Sequence, residues 1–476
     1  MFVRRGARVR RRATSPEHRT AAVASSACGL AARLSGIVGS LERGTMMPND
    51  AFSELEWRGL VYEATEGLRD VLAREAVTLY IGFDPTAASL HVGSLLPMMA
   101  LARMQRFGHS PIAIAGGGTG MIGDPSGKTV ERQLLSVDQV DANLAGIRAQ
   151  LAKVLDFDAS PNPARIVNNG DWLRPLRYLD FLRDIGKHFT VNYMLAKESV
   201  KRRLDQEDGV SYTEFSYLML QAYDFLTLFD RYGCTLQMGG SDQWGNITAG
   251  CDLVRKLRGA RAHGLVMPLV TTSSGVKFGK TEAGAVWLDA SLTSPFRFYQ
   301  FWVNTDDRDA AAYLKYFTFL GRGEIRALED EIARAPEARE AQRVLAREVT
   351  RTIHGGDAAV RAERASALLF GERIAELDAG EIVAVFDDVP STSMPAAAFA
   401  GAGAAVADVL VATKLASSKG EAARLVRGGG VYVNNRRVAD ERARLTLDSA
   451  VSGRLFVLRR GARQYHLVLA DPAPGA

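Results

Sequence analysis

Residues 76–115 carry the strongest signal of fold class and read AVTLYIGFDPTAASLHVGSLLPMMALARMQRFGHSPIAIA. Two apolar runs within this stretch, 76–83 and 111–115, have the length and composition of buried strands. The residues between them, from Ser89 to Phe107, have the apolar spacing of a helix. Because a strand, a helix and a second strand in this order form the repeating unit of a parallel sheet, the stretch predicts an α/β fold.

The same alternation extends over a much longer part of the chain. Between residues 47 and 290 it predicts a catalytic domain built on a doubly wound parallel sheet. Helical apolar spacing from 291 to 388 predicts an α-helical domain. Residues 389–403 are rich in Pro, Ala and Gly and are interpreted as a linker, and residues 404–476 have the pattern of a small α+β domain. In that domain Ser417 and Ser418 predict the N-cap of a helix that runs through Arg427. Ligands of doubly wound sheets gather at the carboxyl ends of the strands, so functional residues are expected just after each strand.

The composition is that of an ordinary globular protein. Of 476 residues, 47% are apolar and 24% are charged. No run approaches the roughly 18 apolar residues of a membrane-spanning helix, which argues against an integral membrane protein. The three cysteines, Cys28, Cys234 and Cys251, show no CxxC pairing and predict a reducing, cytoplasmic location. The seven histidines show no metal-binding spacing, so any metal is expected to arrive with a substrate.

The net charge of +5 is unevenly distributed along the chain. Residues 1–46 carry +7 and residues 406–476 carry +6, which leaves −8 for the rest. A basic terminal domain on an acidic body predicts that this domain contacts a polyanion while the body has another task.

The basic segment 1–46 is interpreted as lying outside the fold, because globular patterning begins only after Met46 and Met47. Three explanations fit its composition: a start site assigned too early, a disordered basic arm, or an organelle transit peptide. The sequence leaves all three open.

Two glycine motifs in the chain mimic nucleotide-binding signatures. Residues 118–123 match GxGxxG after a strand, but Asp124 and Pro125 follow at once and stop the helix that a dinucleotide site needs. Residues 127–129 read GKT, yet the preceding glycine is one residue too close for a P-loop. The segment is therefore either a loop that lets backbone approach a ligand or a turn-rich connection.

Two further segments suggest phosphate chemistry. His91, Val92, Gly93 and Ser94 lie early in the predicted helix, where backbone donors and the helix dipole attract phosphate. Gly93 leaves room for a purine, and His91 can donate a hydrogen bond to a phosphate oxygen. Residues 277–281 read KFGKT and place two lysines three positions apart.

Together these segments resemble the two nucleotide signatures of class I aminoacyl-tRNA synthetases, usually written HIGH and KMSKS. Four other stretches narrow the resemblance to the bacterial tyrosyl-tRNA synthetases: 80–86, 123–128, 215–225 and 239–247. The resemblance runs from about Val77 to the C-terminus, and the last domain is similar to the RNA-binding domain named after ribosomal protein S-four. It implies a Rossmann-like catalytic domain, a helical domain for the anticodon region and an RNA-binding domain.

The implied reaction joins tyrosine and ATP into tyrosyl-adenylate and pyrophosphate, then moves the tyrosyl group to the 3′ end of tRNA(Tyr). By the resemblance, the residues that contact the phosphates as pyrophosphate leaves would be Thr86, His91, Lys128, Arg132, Lys277, Lys280 and Thr281. Tyr80 and Asp224 would bind the phenol of tyrosine, and Asp124, Tyr217 and Gln221 its α-amine. The ATP-binding positions would be Gly82, Asp84, Gly93, Ser94, Gly240, Asp242, Gln243 and Lys280.

The resemblance also implies that ATP is a substrate accompanied by magnesium, that the protein itself holds no metal, and that the enzyme is a homodimer. Ser94 stands where the HIGH signature ends in histidine, and its smaller hydroxyl can still form a hydrogen bond. Two rivals remain: a tryptophanyl-tRNA synthetase, which would not need Tyr80 and Asp224, and an inactive relative that binds RNA through residues 414–437.

Overall fold

The computed structural model describes part of the chain. The described residues are 51–85, 87–124, 126, 136–205, 209–273, 275, 278–281, 284–370, 389–461 and 464–471. The basic segment 1–46 lies outside them, so none of its three explanations is decided.

The central sheet has six strands, five of them parallel. The strands are β1 Glu63–Ala64, β2 Thr78–Phe83, β3 Ser110–Ala115, β4 Arg165–Asn168, β5 Cys234–Gly240 and β6 His263–Met267. They are ordered β1-β6-β5-β2-β3-β4, and only β1 is antiparallel to its neighbour. The prediction of an α/β fold with a doubly wound parallel sheet is confirmed.

This strand order creates a switch point between β2 and β5. From β2 the chain continues outward through β3 to β4, and it then returns to place β5 on the other side of β2. Connections leaving the carboxyl ends of β2 and β5 therefore run in opposite directions and open a crevice between them, which is where doubly wound sheets bind ligands.

Ten helices accompany the sheet in the described residues up to 258. They are α1 Ala51–Trp57, α2 Leu68–Arg74, α3 Leu95–Arg106, α4 Val137–Leu151, α5 Gly170–Leu173, α6 Tyr178–Asp184, α7 Val191–Leu195, α8 Glu198–Leu204, α9 Tyr212–Tyr232 and α10 Trp244–Arg258. In α3 the side chains of Met98, Met99 and Met104 are buried.

Helix α3 begins later than the sequence pattern predicts. His91 is extended, with φ −118° and ψ 171°, and a short 3₁₀ turn over Val92–Ser94 precedes the helix. The reason is a tertiary contact: His91 forms a β-bridge with Trp287, and the Val92 amide donates to the Val286 carbonyl at 2.9 Å. Backbone groups bonded to a distant segment cannot also form helical hydrogen bonds.

Five helices follow the sheet: α11 Pro295–Val303, α12 Asp307–Phe317, α13 Arg322–Arg334, α14 Glu340–His354 and α15 Gly356–Phe370. Two short antiparallel strands, β7 Lys280–Thr281 and β8 Gly284–Ala285, precede them. Of the spaced apolar residues in α13 and α14, Ile325, Leu345 and Val349 are fully buried, and Leu328 and Ile332 are partly buried against the same core. None of the helices in the described part of the chain has the length and apolarity needed to cross a membrane.

The C-terminal part contains β9 Ser391–Pro395, β10 Ala404–Ala405, α16 Val406–Ala412, α17 Lys419–Arg427, β11 Val431–Val433, β12 Arg436–Arg437, β13 Arg444–Leu445, β14 Leu455–Arg460 and β15 Gln464–Asp471. Five of the strands form a sheet of order β12-β11-β14-β15-β9, and β10 pairs with β13. Ser418 caps α17 as predicted, because its hydroxyl accepts from the Glu421 amide at 3.2 Å.

The stretch 389–403, predicted as a linker, is partly folded in the structure. Within 389–403, strand β9 pairs in parallel with β15, and Phe399 is 1% exposed in the C-terminal core. Composition alone suggested a linker, but the edge of β15 offers hydrogen-bond partners that order the segment. Part of the predicted linker therefore belongs to the C-terminal sheet.

Candidate functional site

A buried carboxyl group lies at the centre of the crevice. Asp224, on α9, is 3% exposed. Its Oδ1 accepts from Trp172 Nε1 at 2.7 Å, and its Oδ2 accepts from Asn169 Nδ2 at 2.8 Å. Burial raises the pKa of the Asp224 carboxyl group to about 7, while both donors oppose that rise. The group can therefore change protonation near neutral pH.

A buried phenol shares this region with Asp224. Tyr80, on β2, is 1% exposed, and its hydroxyl makes no hydrogen bond within the described part of the chain. Burial raises the pKa of this phenol well above its usual value, and the negative charge of Asp224 raises it further. The hydroxyl therefore stays neutral and can both donate and accept. Its neighbour across the sheet, Gln237 on β5, is also buried with Oε1 unbonded among the described residues.

The glycine-rich loop after β3 contributes a backbone donor and a side-chain acceptor that bond to Asn169. The Gly118 amide donates to Asn169 Oδ1 at 2.7 Å, and Asn169 Nδ2 also donates to Thr119 Oγ1 at 2.9 Å. Gly117 has no room for a side chain, since a Cβ there would lie 2.0 Å from Asn168 Oδ1. The loop thus orients Asn169, whose amide in turn bonds Asp224. Within the motif the backbone forms a short 3₁₀ turn over Thr119–Met121.

A second polar cluster lies at the start of α10. Gln243 Nε2 donates to Asp124 Oδ2 at 2.6 Å, and Gln221 Nε2 donates to Gln243 Oε1 at 3.2 Å. Asn246 Nδ2 donates to Gln221 Oε1 at 3.0 Å and lies 3.4 Å from Ser126 Oγ. The structure therefore joins Asp124, Gln221 and Gln243, three predicted site residues, into one network.

Helix α9 supplies the predicted tyrosine-binding residues from a single face. Tyr217, Gln221 and Asp224 follow one another at intervals of four and three, so they lie on one side of the helix. Tyr217 and Asp224 are buried, and Gln221 is half-buried. The spacing itself aims all three side chains toward the crevice.

Five of the eight predicted ATP positions lie at the carboxyl ends of the two strands that flank the switch point. Gly82 is the exposed residue near the end of β2, and Asp84 follows that strand. Gly240 ends β5, and Asp242 and Gln243 lie in the 3₁₀ turn after it. All five are in the region where a doubly wound sheet binds nucleotides.

The two phosphate signatures meet in the structure. His91 Nδ1 accepts from the Gly93 amide at 2.9 Å, and its ring lies edge-on to Trp287 at 6.1 Å. Gly279 of the KFGKT segment lies against Gly93: a Cβ on Gly279 would be 3.3 Å from the Gly93 amide nitrogen. Ser94 is the residue before α3. The segments that carry His91 and Lys280 are therefore adjacent.

The structure describes only some of the residues predicted to contact the phosphates. Thr86, Lys128, Arg132 and Lys277 lie outside the described residues. For Lys280 and Thr281 the structure describes the backbone, as strand β7, but not the side chains. Their proposed roles stay predictions. The described residues contain no group of three or more His, Cys, Asp or Glu side chains placed to hold a metal ion.

The sequence reasoning missed Asn169, Trp172 and Asn246. Asn169 and Trp172 belong to the run NNGDW over 168–172, which begins with the last residue of β4. The expectation that functional residues follow each strand would have found them, but the short strand β4 was not predicted. Asn246 follows Gln243 by three residues. This helical spacing could have indicated that the two side chains lie on the same face of a helix.

Comparison with known proteins identifies the family of the chain. Residues 72–371 match the family described as tRNA synthetases class I (W and Y), and residues 381–468 match a tyrosine–tRNA ligase SYY-like C-terminal domain. A tyrosine–tRNA ligase of Roseiflexus castenholzii is 58% identical over 87% of this chain and 98% of its own length. A second, from Bacillus caldotenax, is 54% identical over 88% of this chain and 99% of its own length.

Solved structures give the same result. A C-terminally truncated mitochondrial tyrosyl-tRNA synthetase of Aspergillus nidulans has a TM-score of 0.62 and 34% identity, covering 67% of this chain and 94% of that one. A truncated mitochondrial enzyme of Coccidioides posadasii has a TM-score of 0.58 and 31% identity, covering 73% of this chain and 98% of that one. The chain therefore belongs to the class I tRNA synthetases, in the group of the tyrosine–tRNA ligases.

Proposed function

We propose that this protein activates tyrosine with ATP, releasing pyrophosphate, and transfers the tyrosyl group to the 3′ end of tRNA(Tyr). The observation that carries the proposal is the buried pair of Tyr80 and Asp224, which offers one neutral hydroxyl and one carboxylate at the switch point. The family membership and the near-complete coverage of tyrosine–tRNA ligases support it.

The phenol of the substrate would bind between Tyr80 and Asp224. The Asp224 carboxylate accepts the substrate's O–H, and the Tyr80 hydroxyl donates to the phenol oxygen. Phenylalanine would leave the Tyr80 hydroxyl buried without a partner, and a buried polar group without a partner costs about 1 to 3 kcal/mol. It would also leave the Asp224 carboxylate with only its bonds to Trp172 and Asn169. Substrate selection would therefore follow from these missing hydrogen bonds rather than from the size of the pocket.

The α-amine of tyrosine would lie against Asp124, Tyr217 and Gln221. Asp124 is 6% exposed and is oriented by Gln243 and by the Ser126 amide, which donates to Asp124 Oδ1 at 2.9 Å. A carboxylate held in place by two donors is prepared to pair with an ammonium group. This contact would orient the substrate carboxylate toward the nucleotide.

ATP would lie at the ends of β2 and β5, beside the HVGS turn. Adenylate formation needs no general base, because the tyrosine carboxylate is already a nucleophile. Catalysis then consists of alignment and of stabilising the charge that builds on the departing pyrophosphate. We assign that task to His91, Thr86, Lys128, Arg132 and the lysines of the KFGKT segment. Magnesium would enter with ATP and bridge its phosphates.

The C-terminal part would bind the tRNA. Residues 406–476 carry a net charge of +6, and exposed Arg436 and Arg437 form the edge strand β12. Lys and Arg side chains bind nucleic acid mainly through its phosphates. The helical domain would contact the anticodon region. We also infer a cytoplasmic location, since Cys234 and Cys251 are both free of disulfides.

We further propose that two copies of the chain associate as a homodimer. A group of apolar side chains between residues 178 and 212 is exposed: Tyr178, Leu179, Val191, Leu195 and Tyr212. Tyr178 and Tyr212 contact each other, with their hydroxyls 3.4 Å apart. Apolar side chains grouped on one surface are typical of an interface.

Amino-acid-dependent exchange of pyrophosphate into ATP tests the reaction. With the purified full chain we expect exchange with tyrosine and little with phenylalanine or tryptophan. Exchange with tryptophan instead would support the tryptophanyl rival. No exchange with any amino acid, together with binding of tRNA, would support the inactive RNA-binding relative.

A further inference from the structure

The second residue of the KFGKT segment does not face the nucleotide signature. Phe278 is 5% exposed, and its ring stacks on Phe317 at 5.2 Å with an interplanar angle of 12°. It lies edge-on to Tyr313 at 5.0 Å and also contacts Phe301 and Trp302, at 5.5 and 5.7 Å. All four partners belong to helices α11 and α12. Phe278 is therefore inserted into the helical bundle.

The next residue, Gly279, lies against the HVGS turn. Gly279 has φ +83°, and a Cβ there would lie 2.8 Å from Val92 Cγ2 and 3.3 Å from the Gly93 amide nitrogen. Its carbonyl accepts from the Val286 amide at 3.3 Å. Any side chain would be strained at this φ and would press on the HVGS turn. Two consecutive residues thus connect the helical bundle to the HVGS turn.

The chain before the KFGKT segment is also hydrogen-bonded to helix α12. The Ser273 amide lies 3.1 Å from both carboxylate oxygens of Asp309, and the Ser273 hydroxyl donates to Asp309 Oδ2 at 3.2 Å. Tyr313, one turn further along α12, donates to the Thr271 carbonyl at 3.4 Å. The backbone before the KFGKT segment is therefore bonded to the same helix that holds Phe278.

Packing alone would explain a buried phenylalanine, but it does not explain the position of this one. Phe278 lies between Lys277 and Lys280, and the backbone of Lys280 begins β7 directly after Gly279. Because Phe278 and Lys280 are two residues apart, a displaced Phe278 backbone would move that of Lys280 relative to the HVGS turn. A displacement of about 1 Å in a catalytic group can cost about a hundredfold in rate.

We propose that Phe278 and Asp309 are positioning residues, through which α12 holds the KFGKT segment against the HVGS turn during adenylate formation. This inference rests on the proposed function. It extends the catalytic machinery to a helix with no assigned contact to either substrate.

The test compares Phe278→Ala and Phe278→Leu with the wild-type chain. Phe278→Ala should slow tyrosyl-adenylate formation by about 10- to 100-fold, with less than about a twofold change in tyrosine affinity. Phe278→Leu, which refills much of the volume, should recover most of the rate. Asp309→Asn should slow the step by a smaller factor. A second readout is hydrogen exchange of the 278–288 backbone, which should accelerate in Phe278→Ala.

Leu345→Ala is the matched control, because Leu345 is fully buried on α14 of the same bundle. It should lower the melting temperature without slowing adenylate formation at temperatures where both variants are folded. Equal rate losses in Leu345→Ala and Phe278→Ala would overturn the inference, as would wild-type rate and hydrogen exchange in Phe278→Ala. If the wild-type chain itself showed no tyrosine-dependent activity, the proposed function would fail, and the hydrogen exchange of 278–288 would still decide whether Phe278 holds the segment.

Discussion

Trp172 donates its indole N–H to the Asp224 carboxylate at 2.7 Å, and this bond opposes the effect of burial on the acid. Removing a donor to the ionised form favours the protonated form. The contact therefore sets the pH at which Asp224 can accept a hydrogen bond from a phenol.

The first prediction is a pH-dependent affinity for tyrosine. Because the pKa of Asp224 is about 7, its carboxylate forms as the pH rises through that value, and tyrosine binding should strengthen from pH 6 to pH 8. Trp172→Phe should move the midpoint of this dependence to higher pH, and Asp224→Asn should abolish it. Calorimetric titrations across this range provide the measurement. A wild-type affinity that does not change with pH would contradict the assignment of Asp224 to the phenol.

Tyr80 provides the second prediction. Tyr80→Phe removes a hydroxyl that makes no hydrogen bond among the described residues, so the fold should retain its stability. Tyrosine binding should weaken by about 1 kcal/mol, roughly fivefold, since one neutral hydrogen bond is lost. Phenylalanine binding should not weaken. Dissociation constants for both amino acids test this, and equal weakening of the two would show that Tyr80 only supports the pocket.

The third prediction concerns Lys280. Lys280→Ala should slow adenylate formation by roughly 100- to 1,000-fold, about 3 to 4 kcal/mol, by analogy with the loss of an oxyanion donor. The affinity for tyrosine should change little, because the lysine acts on charge that develops only in the transition state. Burst measurements of adenylate formation separate the two effects. A variant with an unchanged burst rate would remove Lys280 from the catalytic group.

The fourth prediction concerns the C-terminal part. Since β9 pairs with β15, a clean removal should begin at residue 389 and not at 404. Deletion of 389–476 should spare adenylate formation and strongly reduce the charging of tRNA. The deletion also uncovers Phe296, which packs against this part, so the melting temperature must be checked.

A double variant, Arg436→Glu with Arg437→Glu, changes only exposed charges. It should reduce the charging of tRNA without uncovering Phe296. Similar losses in both activities would assign the C-terminal part to the catalytic body.

The fifth prediction concerns the homodimer. Leu179 is 76% exposed, and Leu179→Asp places a charge within the proposed interface. A charge that loses water without a partner opposes association, so the variant should sediment as a monomer at concentrations where the wild type is a dimer. Leu292→Asp is the control, because Leu292 is also exposed, at 52%, but lies outside residues 178–212. Identical sedimentation of the wild type and Leu179→Asp would place the interface elsewhere.

Sequence alone determined the features that depend on local pattern. The alternation of apolar strands and helices over 76–115 predicted the parallel sheet, because each element must bury its own apolar face. The helix cap at Ser418 followed from the chemistry of a hydroxyl before a helix. The segments HVGS and KFGKT predicted where phosphate would bind, because their residue types and their order can be read directly from the sequence.

Tertiary structure decided the features that depend on partners far apart in sequence. Asn169 meets Asp224 across 55 positions, and only burial at that meeting point brings the acid's pKa near 7. Strand β9 exists because β15 pairs with it, and α3 starts late because Val92 and Leu90 are hydrogen-bonded to Val286 and Leu288. Local composition sets what a segment can form, but hydrogen-bond partners and exclusion of water are properties of the assembled chain, so pairing and pKa could not be read from the residues alone.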